Sequence, residues 1–254
     1  MTDSSTRVLG CPNGHRFDVN RRGYVTLLPP RSRVVGDTAQ MLTERESLLN
    51  SGAYGPIRDA LIAAVRPAAP RTVLDSGTGT GWYLHGLLAA LGPAARALAC
   101  DLSPVAVAHA IRGRSDTDGF VADVHAPLPV RGAVADAVTV VFAPRNAPEF
   151  ARVLRSGGIL AVVVPRAQHL GELRAVTGML DVPEGKADAI EATLSEWFAP
   201  ASAEHVRYAL PMTTERATQL QAMGPSAHHT RPPLDGVLPA SVTVSVDVLT
   251  FARR

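Results

Sequence analysis

From Arg71 onward, short apolar runs rich in β-branched residues alternate with stretches of helical period. "RTVLDS" (71–76), "ARALACDLS" (95–103), "GFVADV" (119–124), "DAVTVVFAP" (136–144) and "ILAVVVP" (159–165) read as strands. "YLHGLLAAL" (83–91), "PVAVAHAIRGR" (104–114) and "APEFARVLR" (147–155) separate them as helices, and "SGG" (156–158) reads as a turn before the fifth strand. Strands alternating with helices of about a dozen residues predict βαβ units and a parallel sheet covered on both faces.

Upstream, "DTAQMLTERESLLNSG" (37–52) and "PIRDALIAAVR" (56–66) carry helix formers bounded by Gly and Pro and predict two helices leading into that core. Residues 1–36 are short, irregular and turn-rich. Downstream, "HLGELRAVTGML", "KADAIEATLSEWF" and "TTERATQLQAMG" read as helices. "EHVRYAL" and "SVTVSVDVLTFA" read as strands that add an antiparallel hairpin to the sheet edge. The expected layout is an N-terminal segment over 1–36, a helical linker over 37–67 and an α/β domain over 68–254.

Composition narrows the class. At 254 residues with 46% hydrophobic and 19% charged residues, the chain has enough apolar material for one large core. No signal-peptide pattern and no apolar run of membrane-spanning length is present, so a cytoplasmic protein is expected. Its two cysteines, Cys11 and Cys100, are too few for a disulfide framework. The formal charge of +2 is mild, but residues 7–33 hold six arginines against one acid, Asp18. That cluster reads either as a solvated face or as a contact for an anionic partner.

The chemistry concentrates in "VLDSGTGTGW" (73–82), at the end of the first core strand and the start of a helix. Gly77, Gly79 and Gly81 let the backbone bend sharply and approach a ligand. The following helix start offers free N–H groups. A P-loop would need Gly-Lys-Ser/Thr, and a dinucleotide turn would need a third glycine where Trp82 stands. Asp75, two residues before the first glycine, suits an ammonium better than a pyrophosphate. This D-x-G-x-G-x-G shape, with Thr78 inside it, is that of S-adenosylmethionine (SAM) binding. Asp101 and Leu102 at the second strand end suit the ribose, and Asp123 and Val124 at the third suit the adenine. Phe142 and Pro144, in "FAPRN" (142–146), complete the edge where open α/β sheets bind ligands. The expected fold is therefore a class I SAM-dependent methyltransferase. It has a mostly parallel seven-stranded sheet, an antiparallel edge hairpin and a short N-terminal appendage.

"CPNGHRFDVNRRGYVTLL", "GDTAQMLTERESLLNSGAYGPIRDAL", "LDSGTGTG", "FAPRNAPEFARVLRSGGIL", "PRAQHLGEL" and "MGPSAHH" together resemble the 23S ribosomal RNA guanine-N1 methyltransferases, which include macrolide-resistance enzymes. The resemblance covers nearly the whole chain. It implies an N-terminal zinc module that helps hold RNA, joined to the SAM-binding domain. The family's module uses an early Cys-x-x-Cys pair plus a Cys and a His. Here only Cys11 and His15 match, and residues 1–10 contain no cysteine. Structural zinc takes four ligands, so this half site predicts no stable zinc. His228 stands where the family often has a Trp.

Methyl transfer from a sulfonium is an in-line displacement that needs orientation and a lone pair on the acceptor. A guanine N1 carries a proton at neutral pH, so a base or an oxygen-stabilising donor would help. The candidates for acting on the acceptor are Asp37, Arg45, Asn146 and His228, with Arg145 and His169 beside them. Each also has a structural reading: Asp37 as a helix cap, Arg45 as a surface ion pair, Asn146 as a cap, the histidines as polar loop residues. Ribosomal RNA is the expected partner, a small-molecule acceptor the alternative, and a SAM-binding regulator without turnover the third reading. A homodimer is left open.

Overall fold

The computed structural model describes residues 7–11, 13–28, 36–223 and 237–254. A small antiparallel pair comes first, β1 (Val8–Gly10) and β2 (Arg16–Asp18), followed by the two-residue strand β3 (Val25–Thr26). Helices α1 (Ala39–Asn50) and α2 (Gly55–Val65) lead to the alternating core. That core is β4 (Thr72–Ser76), α3 (Trp82–Leu91), β5 (Arg96–Asp101), α4 (Pro104–Ala110), β6 (Thr117–Val121), β7 (Ala135–Val141), α5 (Ala147–Val153) and β8 (Leu154–Pro165). Then follow α6 (Gly171–Thr177), α7 (Lys186–Leu194), β9 (Phe198–Pro211), α8 (Thr214–Met223) and β10 (Ser241–Arg253).

The central sheet has eight strands in the order β3-β6-β5-β4-β7-β8-β10-β9. The ladders from β3 to β8 are parallel, and β10 pairs antiparallel with both β8 and β9. The chain runs outward from β4 through β5 to β6, then restarts on the other side of β4 with β7. A crevice opens at such a reversal, beyond the carboxyl ends of the strands.

Seven of these strands are the expected ones. The eighth is an addition: β3, from the segment read as irregular, pairs with β6 through Val25↔Phe120 and Thr26↔Val121. Other boundaries moved for local reasons. Helix α4 stops at Ala110, before the left-handed Gly113, rather than running through Arg114. "SGG" lies inside β8, whose first residue Leu154 already pairs with Ala135. β9 begins at Phe198, six residues before "EHVRYAL", because β10 offers a ladder long enough to extend it.

The caps follow side-chain chemistry. Thr38, not Asp37, caps α1, its hydroxyl accepting from the Met41 N–H at 3.3 Å. Ser103 caps α4 ahead of Pro104 in the first turn. Asn146 caps α5, its side-chain oxygen accepting from the Glu149 N–H. One face of the sheet packs Ile57, Leu61, Leu84, Leu87 and Val107; the other packs Phe150, Leu154, Ile190, Phe198 and Phe251. Among the described residues no helix is long and apolar enough to cross a membrane.

Phe150 is fully buried in the second of these faces. Phe150→Ala should lower unfolding free energy by about 3–5 kcal/mol in urea titration; a change under about 1 kcal/mol would mean the α5 face is not close-packed.

Candidate active site

The glycine turn leaves β4 and enters α3. Gly77, Gly79 and Gly81 have φ of 76°, 53° and 76°, the left-handed region that side chains resist. Space is as tight as the backbone. A Cβ on Gly77 would stand 2.3 Å from the Cβ of Ala143, and one on Gly81 would stand 3.0 Å from the Cα of Ala110. The turn is therefore wedged between the end of β7 and α4. Trp82, in place of a third fingerprint glycine, packs under the Arg58 guanidinium at 4.4 Å and edge-on to Tyr83.

Asp101 organises this turn. One carboxylate oxygen accepts from the Gly79 N–H at 2.9 Å and the other from the Ser103 N–H at 2.9 Å. Asp75 lies deeper, buried beneath the turn. Its Oδ1 accepts from the Thr139 hydroxyl at 2.6 Å, across the β4–β7 reversal. The Thr78 hydroxyl lies beside the same carboxylate without a regular hydrogen bond. Burial raises the pKa of both acids, and each is opposed by the hydrogen bonds just named. Asp123 sits at the end of β6, half-buried, accepting from the His125 N–H at 2.9 Å. Leu102 and Val124 are half-buried beside Asp101 and Asp123.

These acids, which lack cationic partners among the described residues, fit a ligand that carries positive charge. SAM does, on its ammonium and its sulfonium. A turn with no side chain in its way, flanked by half-buried apolar residues, fits the nucleoside. The donor chemistry of the edge is consistent with the ligand read from sequence.

Two acceptor-side candidates pair with each other. Arg45 makes an ion pair with Asp37, and a Cβ on Gly79 would lie 3.2 Å from its Nη1. Its Nη2 donates to the Met223 carbonyl at 2.7 Å, and the Asp37 carbonyl accepts from the Ser103 hydroxyl at 2.7 Å. The pair is half-buried, not a surface contact. Asn146 spends its amide structurally: besides capping α5, its Nδ2 donates to the Val124 carbonyl at 2.7 Å. His228 lies outside the described residues.

Phe142, expected at this ligand edge, stands at the end of β7 in an aromatic group with His169 and Tyr54 whose assembly the sequence did not announce. Phe142 adopts φ 54°, uncommon for a residue with a side chain, and its ring is 39% exposed. Behind it, His169 stacks at 6.0 Å between centroids and 29° between planes, and Tyr54 lies at 6.2 Å. His169 lies in the turn after β8, as a loop residue, but it is buried. Its Nδ1 accepts from the Ser245 N–H at 3.2 Å, which leaves Nε2 to carry the proton and face the Tyr54 hydroxyl at 3.4 Å. Burial lowers its pKa to about 4.

At the N-terminus, Cys11 Sγ lies 3.3 Å from His15 Nδ1, so the two donors face each other across a tight turn. Among the described residues no group of three or more His, Cys, Asp or Glu side chains is placed to hold a metal. The other cysteine, Cys100, is buried in β5. These donors do not fit a four-ligand zinc site.

Comparison with known proteins agrees with the geometry of the SAM-binding edge, and it matches the N-terminal segment to a zinc ribbon of which only Cys11 and His15 are present as donors. A methyltransferase-domain family matches residues 73–158, and a family described as the RlmA N-terminal zinc ribbon matches residues 2–33. The 23S rRNA (guanine(748)-N(1))-methyltransferase of Streptomyces fradiae is 40% identical over 233 residues, covering 90% of this chain and 83% of that protein. A Micromonospora griseorubida protein named for 23S rRNA guanine-N(1) methylation is 41% identical over 242 residues, covering 89% and 82%. Among solved structures, geranyl diphosphate methyltransferase in complex with SAM aligns at TM-score 0.52 with 13% identity, covering 87% of this chain and 93% of that one. The Haloferax volcanii methyltransferase solved with the Trm112 activator aligns at 0.57 with 17% identity, covering 86% and 98%. The fold is that of class I SAM methyltransferases.

Two measurements check the site. Asp101→Ala should weaken SAM binding at least about tenfold by calorimetry, since it removes a charged acceptor from the turn; unchanged affinity would contradict the assigned pocket. His169 has a depressed folded pKa, so the stability it contributes is complete above the unfolded pKa of 6.5 and is lost as pH falls toward 4. Comparing the wild type with His169→Gln across that window should show a shrinking difference in stability as pH falls; a constant difference would mean the imidazole is not held neutral.

Proposed function

As a member of the 23S rRNA (guanine-N(1)) methyltransferase family, to which the chain belongs, the protein is a SAM-dependent methyltransferase, and we propose that it methylates N1 of a guanine in 23S ribosomal RNA. The observation that carries the donor half of this reading is the convergence of Asp75, the Gly77–Thr78–Gly79–Gly81 turn, Asp101–Leu102 and Asp123–Val124 on one sheet edge. Bound there, SAM supplies an electrophilic methyl on a sulfonium. Asp101 holds the turn at Gly79 and would accept from the ribose of bound SAM, Asp75 beneath the turn would add negative charge on the side suited to the ammonium, and Leu102 and Val124 would give the adenine apolar contact.

Phe142 and Pro144, expected from the sequence among the cofactor-binding residues, are here given to the acceptor, whose half of the reading rests on them and the elements around them. The exposed Phe142 ring gives a flat apolar surface beside the turn, on which a guanine stacks in line with the donor. A left-handed Phe stabilised from behind by His169 and Tyr54 is a conformation that function explains better than folding does. Arg45 and Asp37 position rather than react: their ion pair joins the residues before α1 to the turn and to the end of α8. N1 must shed its proton as the bond forms.

The arginine-rich segment gives RNA a second contact. Arg7, Arg16, Arg21 and Arg22 are exposed, and none forms an ion pair among the described residues. With two facing donors instead of four, this ribbon keeps its turn through the Cys11–His15 contact and backbone bonds, without zinc. An enzyme of ribosomal RNA works in the cytoplasm. The incomplete zinc set also favours a second reading, a small-molecule acceptor on the same scaffold.

Labelled SAM incubated with the protein and protein-free 23S rRNA should deliver label to the RNA as 1-methylguanosine. Label confined to a low-mass acceptor, or to another nucleoside, would overturn the reading.

A further inference from the structure

Next to Phe142, the other side of the "FAPRN" edge opens into a cavity of about 470 Å³. Its walls include Arg145, His125, Asn146, Pro148 and Trp197, with Glu196 on the exposed rim. Arg145 is half-buried, and its one hydrogen bond is a long one, 3.3 Å, to the Ala143 carbonyl. A guanidinium has five donors, and burying one without a carboxylate is costly. No carboxylate pairs with it among the described residues, not even Glu196 on the same cavity. Lys186, the first residue of α7, lies close enough for the two cations to disfavour one another, and it too has no acidic partner among the described residues.

Several other arginines among the described residues do have an acidic partner. Arg45, Arg114, Arg152, Arg155, Arg166 and Arg174 all find an Asp or Glu. Burial lowers the pKa of Arg145, and burial together with the nearby Arg145 lowers that of Lys186. A half-buried guanidinium on a cavity wall with no carboxylate partner, three positions along the chain from the exposed Phe142 and with the Lys186 cation near it, is a site prepared for a diffuse anion with several acceptor oxygens.

We propose that Arg145 and Lys186 bind a backbone phosphate of the RNA beside the target guanosine, fixing the nucleotide so that its base meets Phe142. The proposal rests on the reading of the acceptor as RNA and adds the site that grips its backbone. The phosphate carries no sequence information; it sets position, while the stacking surface and the chemistry at N1 choose the base. Trp197, 37% exposed on the same wall, gives the adjoining sugar or base an apolar contact.

The test is titration of protein-free 23S rRNA into the full-length protein with the demethylated donor product present, at several salt concentrations. Arg145→Ala and Lys186→Ala should each weaken RNA binding about tenfold. Each should also flatten the slope of log affinity against log salt by about 0.7–0.9, the signature of one lost phosphate contact. Donor affinity and melting temperature should stay at wild-type values, which separates a lost contact from a damaged fold. Glu196→Gln, which removes the one acid on the rim, should tighten RNA binding. If the wild type methylates the RNA while both alanine variants keep its affinity and slope, the phosphate site is wrong and the RNA reading stands. If the wild type neither binds nor methylates RNA, the RNA reading fails and this proposal falls with it.

Discussion

The carboxylate of Asp101 is the point on which the site turns. It takes the N–H of Gly79 on one oxygen and that of Ser103 on the other, and so joins the donor turn to the start of α4. Ser103 carries the connection on, giving its hydroxyl to the Asp37 carbonyl and capping α4. Asp37 holds Arg45, and Arg45 holds the end of α8. Burying an acid in this way costs free energy that its charge-assisted bonds only partly return, which is why its pKa stays above the ordinary carboxylate range. What the fold obtains is a turn whose shape is set before any ligand arrives, so little ordering remains to be done on binding.

The same logic explains why unfavourable features gather at this edge. Asp101 lies close enough to raise the pKa of the buried Asp75, Phe142 sits in a left-handed conformation, and the half-buried Arg145 has no carboxylate partner among the described residues. Elsewhere the chain follows ordinary rules: capped helices, paired arginines and close-packed faces. A left-handed Phe, buried acids and a half-buried guanidinium without a carboxylate, gathered at one end of the sheet, mark a place where ligands complete what the protein leaves open.

Much of this was legible in the residues. β-branched runs between helical stretches gave the parallel sheet, and acids at the ends of β4, β5 and β6 lined up because parallel strands present the same end to the same edge. What local pattern could not show was long-range pairing. β3 is two residues long and finds its partner in β6, some hundred residues later, with no periodicity to announce it. Asp37 looked like a cap; Thr38 took that role and freed Asp37 for Arg45, eight residues on and one turn past the reach of helix-surface rules. His169 read as a polar loop residue, because nothing near it in sequence foretells that Ser245, Tyr54 and Phe142 close around it. The sheet was written in local composition, and the acceptor side in contacts between distant segments.

The central claim, that the donor lies over the Asp101-anchored turn, can be read atom by atom. In an amide-resolved NMR titration with the demethylated donor, the N–H signals of Gly77, Gly79, Gly81 and Ser103 should shift together and saturate together, while those of β1 and β2 hold still. Saturable binding that leaves those four amides unmoved would place the ligand elsewhere and contradict the account.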